Sequence, residues 1–151
     1  MENNKYYVPE ISEFHVGFEY EHLTGFEKQF KSYIYDLAKA CLVIERESIS
    51  HNGEIVKMFI PAIQACIEEK QCRVKYLDQS DIESLGWIDG ETRGMTPFIF
   101  NELDPNNEFQ LYYQFDNQFA QIYNCHSQFV FQGTIKNKSE LIKLMQQLNI
   151  K

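Results

Sequence analysis

The segment from Glu108 to Ile135 constrains the fold more than any other part of the chain. At its start, aromatic and aliphatic side chains recur at every second position: Phe109, Leu111, Tyr113 and Phe115. That is the period of a β-strand with one apolar face. Two polar breaks, at 116–117 and 125–127, have the length of tight turns. The segment therefore predicts three consecutive strands paired as an antiparallel meander, with the four side chains facing a core.

The rest of the composition agrees with a sheet protein. A chain of 151 residues is the size of one domain. Its 12 Phe and 9 Tyr favour a pleated, half-buried surface. We predict an α+β fold: an antiparallel sheet built on a meander at about 108–135, with a C-terminal helix and one or two short helices packed on it. The sequence has neither a long apolar run nor a secretory signal, so we expect a cytoplasmic protein without a membrane span.

The charge of the chain argues against nucleic acid as a direct partner. The net charge is −8, and the 14 Lys and Arg residues are scattered along the sequence. Phosphate backbones are bound by clustered basic side chains, which are missing here. An acidic chain can instead dock on a basic protein surface, or the charge can simply keep an aromatic-rich domain soluble.

The cysteines give no catalytic or metal-binding pattern. Cys41, Cys66, Cys72 and Cys125 contain no C-x-x-C pair, so the spacing does not predict structural zinc. Cys125 and His126 are adjacent and would point to opposite faces of a strand, with no third residue to orient the histidine. We therefore assign no catalytic residue, no metal and no cofactor, and expect the protein not to be an enzyme.

A second alternating segment runs from Glu10 to Glu21 and predicts a strand. Its apolar positions are Phe14, Val16, Phe18 and Tyr20. The opposite face carries His15, Glu19 and Glu21, which form the candidate interface. A His–carboxylate cluster could also hold a metal or act as an acid–base pair, but a solvated charged face explains the same residues. Since the stretch 13–20 is long and regular, an unpaired edge there predicts a homodimer.

Local signals place the remaining elements. The segment Phe26–Tyr35 fits a strand or a helix, and we favour the strand. Asn52-Gly53 predicts a hairpin turn between Leu42–Ser48 and Ile55–Phe59. Helices are predicted after Pro61 and after Asn137. Another short helix is predicted to begin with a capping box formed by Ser80 and Glu83 and to end at Gly86, its C-terminal cap. The polar loop at 88–96 lacks the ending of a phosphate-binding loop.

Three blocks resemble one group of proteins. They are the opening YVPEISEFHVGFEY at 7–20, VKYLDQSDIESLGW at 74–87 and GTIKNKSELIKL at 133–144. Together they resemble small uncharacterised proteins of gut bacteria and their phages, and they occur in the same order. The resemblance implies a phage-associated cytoplasmic protein and carries over no functional residue. The segment at about 37–71 departs from it, so we predict a single domain, 1–151, with an insertion there.

The sequence thus favours a non-enzymatic binding protein that acts through a protein–protein interface and serves phage–host interaction. The partner would be a host protein or a second copy of the chain. The alternative is a small-ligand binder for a nucleotide or metabolite, in which aromatic side chains stack on the ligand. The candidate ligand-binding residues are Trp87, Tyr112 and Tyr123.

Overall fold

The computed structural model describes residues 5–26, 28–90, 97–100, 104 and 106–151. It confirms the α+β class, with antiparallel sheets, short helices and a C-terminal helix. The chain divides into two compact units, Met1–Lys75 and Tyr76–Lys151. Each unit has its own cluster of buried apolar side chains. The single domain with an insertion at about 37–71 stays a prediction.

The first unit combines a four-stranded sheet with a separate hairpin. Its strands are β1 (Tyr6–Tyr7), β2 (Glu19–Thr24), β3 (Gln29–Ile34), β4 (Val43–Ile49), β5 (Ile55–Pro61) and β6 (Cys72–Lys75), and its helices are α1 (Leu37–Ala40) and α2 (Ala62–Glu68). The four-stranded sheet has the order β1-β6-β2-β3, and β4 pairs only with β5 among the described strands. The strand favoured for 26–35, the hairpin and the helix after Pro61 are all confirmed.

In its described residues, the second unit has a five-stranded antiparallel sheet and two α-helices. Its elements are α3 (Gln79–Ser84), β7 (Ile88–Asp89), β8 (Phe98–Phe100), β9 (Phe109–Gln114), β10 (Phe119–Asn124), β11 (Phe129–Thr134) and α4 (Lys138–Gln147). The sheet order β11-β10-β9-β8-β7 contains the predicted meander as its last three strands in the chain. Of the polar loop predicted at 88–96, residues 91–96 lie outside the described residues.

One face of the meander supports the core of this unit. Leu111, Ala120 and Ile122 are each 0% exposed, and Phe109 and Tyr113 pack against the same cluster. The Tyr113 hydroxyl donates to the carbonyl of Ile135 at 2.6 Å, which ties β9 to the end of β11. Helix α4 covers this core with a stripe of apolar side chains: Leu141, Leu144 and Met145. The inward orientation is thus confirmed for the first three of the four predicted residues.

Phe115 departs from that prediction. Strand β9 ends at Gln114, so Phe115 lies in the turn and is 44% exposed. Its ring contacts the Tyr113 ring edge to face, with centroids 4.9 Å apart. The apolar alternation in the sequence therefore extends past the end of β9, and its last member packs on Tyr113 from the turn.

The strand predicted from Glu10 to Glu21 is wrong from Glu10 to Phe18, and only Glu19–Glu21 lie in a strand. Residues Ile11–Glu13 form a 3-10 turn instead, in which the Glu13 carboxylate accepts from the Glu10 N–H at 2.7 Å and from the Tyr7 hydroxyl at 2.7 Å. Gly17 has φ +92, a left-handed conformation that interrupts an extended chain. Strand β2 therefore begins only at Glu19.

Two further details correct the sequence prediction. The capping box of α3 uses Asp78, whose carboxylate accepts from the Asp81 N–H at 3.0 Å, rather than Ser80. Gly86 has φ +95 after this helix, as the C-terminal cap requires.

Strand β2 lies between β6 and β3, so the predicted free edge at 13–20 does not exist in the sheet. The dimer predicted from that edge loses its original argument.

Candidate functional site: the outer face of the β4–β5 hairpin

The hairpin forms because its turn is encoded locally. Gly53 takes a left-handed φ of +80, and the Ser50 N–H donates to the Glu54 carbonyl at 2.8 Å. The register then pairs the strands from Ile49 opposite Ile55 to Val43 opposite Pro61. Because side chains of a strand alternate between two faces, this register decides which residues share a face.

One face of the hairpin is held against the rest of its unit at its Ile60 end, whereas three apolar side chains on the same face are 39–47% exposed: Ile44, Val56 and Met58. Ile60 on this face is only 7% exposed. Arg46 pairs with the carboxylate of Glu68 at the end of α2. A side-chain hydrogen bond from Gln64 and the charge of Arg46 both lower the pKa of Glu68. The helix that follows the hairpin therefore anchors it on this side.

The opposite face, which we call the outer face, is largely exposed. It consists of four cross-strand rows: Val43 with Pro61, Glu45 with Phe59, Glu47 with Lys57, and Ile49 with Ile55. Exposure reaches 59% for Val43, 73% for Phe59, 78% for Ile49 and 70% for Ile55. A two-stranded hairpin is only marginally stable alone, and usually needs more strands or a packed face. Apolar side chains on an uncovered face thus mark this surface as a place for contact.

The charged middle of the outer face separates its two apolar ends. Lys57 Nζ lies 3.2 Å from Glu45 Oε1 on the neighbouring strand. Glu47 stands directly across from Lys57 in the register. The pattern along the face is therefore apolar, charged and apolar, with both signs of charge at its centre.

A sequence signal for this face exists in β5. Apolar residues occupy both alternating sets of positions there: Ile55 and Phe59 on the outer face, and Val56, Met58 and Ile60 on the other. Such a strand is typical of one covered on both sides. Here β5 is covered at Ile60, while its apolar residues on both faces are otherwise 42–73% exposed: Ile55, Val56, Met58 and Phe59.

The residues predicted as an interface lie elsewhere in the same unit and only in part together. Glu19 and Glu21 share one face of β2, whereas His15 precedes the turn at Gly17, and its Nδ1 lies 3.0 Å from the carbonyl of Glu13. The Glu21 carboxylate pairs with Arg73, whose guanidinium lies between two aromatic rings, 3.8 Å from the Tyr6 centroid and 3.9 Å from that of Phe30. This charged cluster is engaged within the sheet.

Two of the three residues predicted to bind a ligand are neighbours. Tyr112 and Tyr123 meet edge to face with centroids 5.6 Å apart, on the side of the meander opposite to the core. With Gln110, Gln121 and Ser127 they line a shallow concavity of about 230 Å³. Pockets for drug-sized ligands usually enclose about 300–1,000 Å³.

Trp87, the third, is not part of that concavity. It is 1% exposed in the core of the second unit, and its indole N–H donates to Met145 Sδ at 3.4 Å.

A thiol and imidazole cluster in the first unit was missed by sequence reasoning. Cys66 Sγ on α2 lies 3.4 Å from His22 Nε2 on β2, and Cys72 stands opposite His22 on β6. Burial, followed by the neighbouring Cys66, raises the pKa of Cys72 to about 12, and burial also raises that of Cys66. A raised thiol pKa disfavours the thiolate that nucleophilic chemistry requires. The cluster joins residues 44 positions apart, which no local motif can show.

We expect the buried thiols to react slowly in the folded protein. At pH 8, alkylation of Cys72 by iodoacetamide should be at least about tenfold slower than in the urea-unfolded chain, since each unit of raised pKa lowers the thiolate fraction about tenfold, and alkylation of Cys66 should also be slower. The exposed Cys41 is the internal control. Peptide mass spectrometry over time measures all of them, and Cys72 reacting as fast as Cys41 would contradict the buried cluster.

Alkaline pH should destabilise the same unit. Burial, together with the charge of Cys72, raises the pKa of Tyr20 from 10.0 to about 12. Between these values the unfolded chain has released the Tyr20 proton while the folded chain retains it, so stability falls as pH rises from 10 to 12. Urea unfolding followed by circular dichroism at pH 8, 9, 10 and 11 checks this. Tyr20→Phe should flatten the decline, and equal stability at pH 8 and 11 would refute it.

The Cys125-His126 pair lies in the turn between β10 and β11. Cys125 Sγ lies 3.2 Å from the carbonyl oxygen of Asn106, and the His126 N–H donates to the Asn124 side chain at 3.0 Å. These contacts fix the turn and bring no third group to the histidine.

Neither a metal cluster nor a membrane helix is found in the ranges that the structure describes. Within them, no three His, Cys, Asp or Glu side chains are grouped so as to hold a metal ion. No helix there has the length and apolar character needed to span a bilayer. No family model, curated protein or solved structure matches the chain.

Proposed function

We propose that this protein is a non-enzymatic binding protein and that the outer face of the β4–β5 hairpin is its contact surface. The observation that carries the proposal is the exposure of the four apolar side chains Val43, Ile49, Ile55 and Phe59, at 59–78%. Single exposed apolar residues are common on protein surfaces, whereas several on one strand face, here at both ends of a charged middle, mark an interaction site. Aromatic side chains such as Phe59 are also enriched in interfaces.

The resemblance of the three sequence blocks supports a phage-associated role with a host protein as partner. The net charge of −8 is consistent with a basic partner surface, because opposite charge accelerates encounter. Lys57 and the two glutamates of the outer face would fix the register of the contact, since charged pairs contribute more to specificity than to affinity.

Affinity capture from a host lysate tests this function, with the wild-type chain and Phe59→Ser as baits. Wild type should retain a stoichiometric partner or a second copy of itself, and Phe59→Ser should lose it. Tyr112→Ser is the matched control, because it removes a 39% exposed aromatic ring from a different sheet. Capture that is equal for all three baits, or that fails for wild type without self-association, would reject the proposal.

The alternative function is binding of a small aromatic ligand at Tyr112 and Tyr123. It is favoured by the concavity that these side chains share with three polar residues on the exposed side of the meander. A thermal-shift screen of nucleotides tests it, because a ligand at 100 times its dissociation constant adds about 2.7 kcal/mol of stability. The shift should vanish in Tyr112→Ala, and unchanged melting temperatures across the screen would reject this alternative.

A further inference from the structure

We infer that the outer face of the hairpin binds a second copy of this chain, face to face around a two-fold axis parallel to the strands. The inference rests on the proposed function and names the partner. The most frequent oligomers are two-fold dimers, in which one surface patch must be complementary to itself. Three of the four rows of the outer face meet this condition, and in the fourth Glu45 of one copy faces Phe59 of the other.

The symmetry fixes which residues meet. The axis lies between the two hairpins and runs parallel to their strands. A rotation of 180° about it leaves the position of each row along the axis unchanged, so that each row faces the same row of the other copy with its two residues exchanged. Strand β4 of one copy then faces β5 of the other. Ile49 meets Ile55 of the other copy at one end, and Val43 meets Pro61 at the other. The exposed apolar ends are thus covered by apolar ends.

The central charges select this arrangement over the other two-fold packing. With the axis parallel to the strands, Glu47 of each copy faces Lys57 of the other, so that two ion pairs form between the chains. With the axis perpendicular to the strands, β4 faces β4, and glutamate meets glutamate wherever the axis crosses the charged rows. Like charges placed opposite each other are destabilising in sheets and interfaces.

The size of the face limits the strength of this contact. Strands of 7 residues, as here, extend over roughly 24 Å, and two of them cover a width of roughly 10 Å. Such a footprint is smaller than the area of about 800 Å² that each partner contributes to a standard interface. We therefore expect a weak, reversible dimer whose dissociation constant lies in the micromolar range or above and rises with salt.

Charge reversal followed by mixing tests the pairing. By sedimentation equilibrium at about 5–500 µM, Glu47→Lys and Lys57→Glu should each weaken dimerisation about tenfold or more, which corresponds to about 1.4 kcal/mol. An equimolar mixture of the two variants should recover the wild-type affinity to within about threefold, since each ion pair between the chains is restored. Mixing changes no contact within a hairpin, because the Lys57–Glu45 pair stays intact in Glu47→Lys and stays lost in Lys57→Glu, so recovery can come only from contact between chains.

Matched controls separate this pairing from a change in net charge. Glu83→Lys and Lys143→Glu make the same charge changes at exposed positions of the second unit and should dimerise like wild type. Circular dichroism checks that each variant is folded, and Phe59→Ser provides a second variant that should weaken dimerisation without altering charge.

Three results would overturn the inference: a wild-type monomer at 500 µM, a dimer unaffected by either reversal, or a mixture that does not recover. The first result leaves the proposed function intact if Phe59→Ser still abolishes capture of a different protein. If that capture is also unaffected, the proposed function fails with it.

Discussion

Replacing Trp87 with alanine is expected to lower the free energy of unfolding by about 3–5 kcal/mol, the range for large aromatic residues in a core. Trp87 is 1% exposed, packs on Phe100 with ring centroids 5.3 Å apart, and donates its indole N–H to Met145. Truncation therefore leaves a cavity between the sheet and α4. Urea unfolding followed by circular dichroism measures the change, because this is the only tryptophan and its fluorescence is lost.

Two variants accompany that measurement. Trp87→Phe keeps most of the apolar volume and should cost clearly less than Trp87→Ala. Tyr112→Ala removes a partly exposed ring on the other side of the sheet and should cost on the order of 1 kcal/mol or less. A loss below about 1 kcal/mol for Trp87→Ala would show that this indole does not support the core.

Leu111→Ala is expected to lower the free energy of unfolding by about 2–5 kcal/mol. Leu111 is 0% exposed on β9, which has β8 on one side and β10 on the other. Its cross-strand neighbours are Phe98 and Ile122, which are themselves buried. Since strands on both sides fix the backbone, the cavity has little freedom to collapse. Equilibrium urea unfolding gives the difference from wild type.

Gln132→Ala is the control for Leu111→Ala. Gln132 is exposed on β11 of the same sheet, so its replacement should change stability by no more than about 0.5 kcal/mol. If Leu111→Ala cost no more than this control, the meander would not form the central layer of the second unit.

The meander, the hairpin and the C-terminal helix could be predicted from sequence because each is encoded by neighbouring residues. Alternation over 109–113 fixes which side of β9 is apolar. Gly53 supplies the left-handed turn residue between β4 and β5. Asn137 caps α4 by accepting from the Glu140 N–H at 2.9 Å. In each case the signal and the structure span only a few residues.

The errors arose where two local signals competed. The alternation over 10–21 indicated one strand, but the hydrogen bonds of Glu13 favour a 3-10 turn and Gly17 adopts a positive φ. At α3, Asp78 and Ser80 are both good N-cap residues, and the aspartate is the one that caps the helix. Alternation and N-cap preferences indicate which local structures a segment can adopt. The hydrogen bonds of Glu13 and Asp78 and the positive φ of Gly17 show which option the folded chain adopts.

For the candidate sites too, some features could be predicted from the sequence and others could not. Sequence alternation put Tyr112 on the side opposite to Leu111, and the Asn52-Gly53 turn signal gave the pairing of β4 with β5. Only the tertiary structure decided that Trp87 is buried, that His22 meets Cys66, and that the hairpin is held at Ile60 and Arg46 while most of its apolar side chains are exposed. The physical reason is that strand periodicity and turn chemistry are local, whereas exposure depends on contacts between residues far apart in the chain.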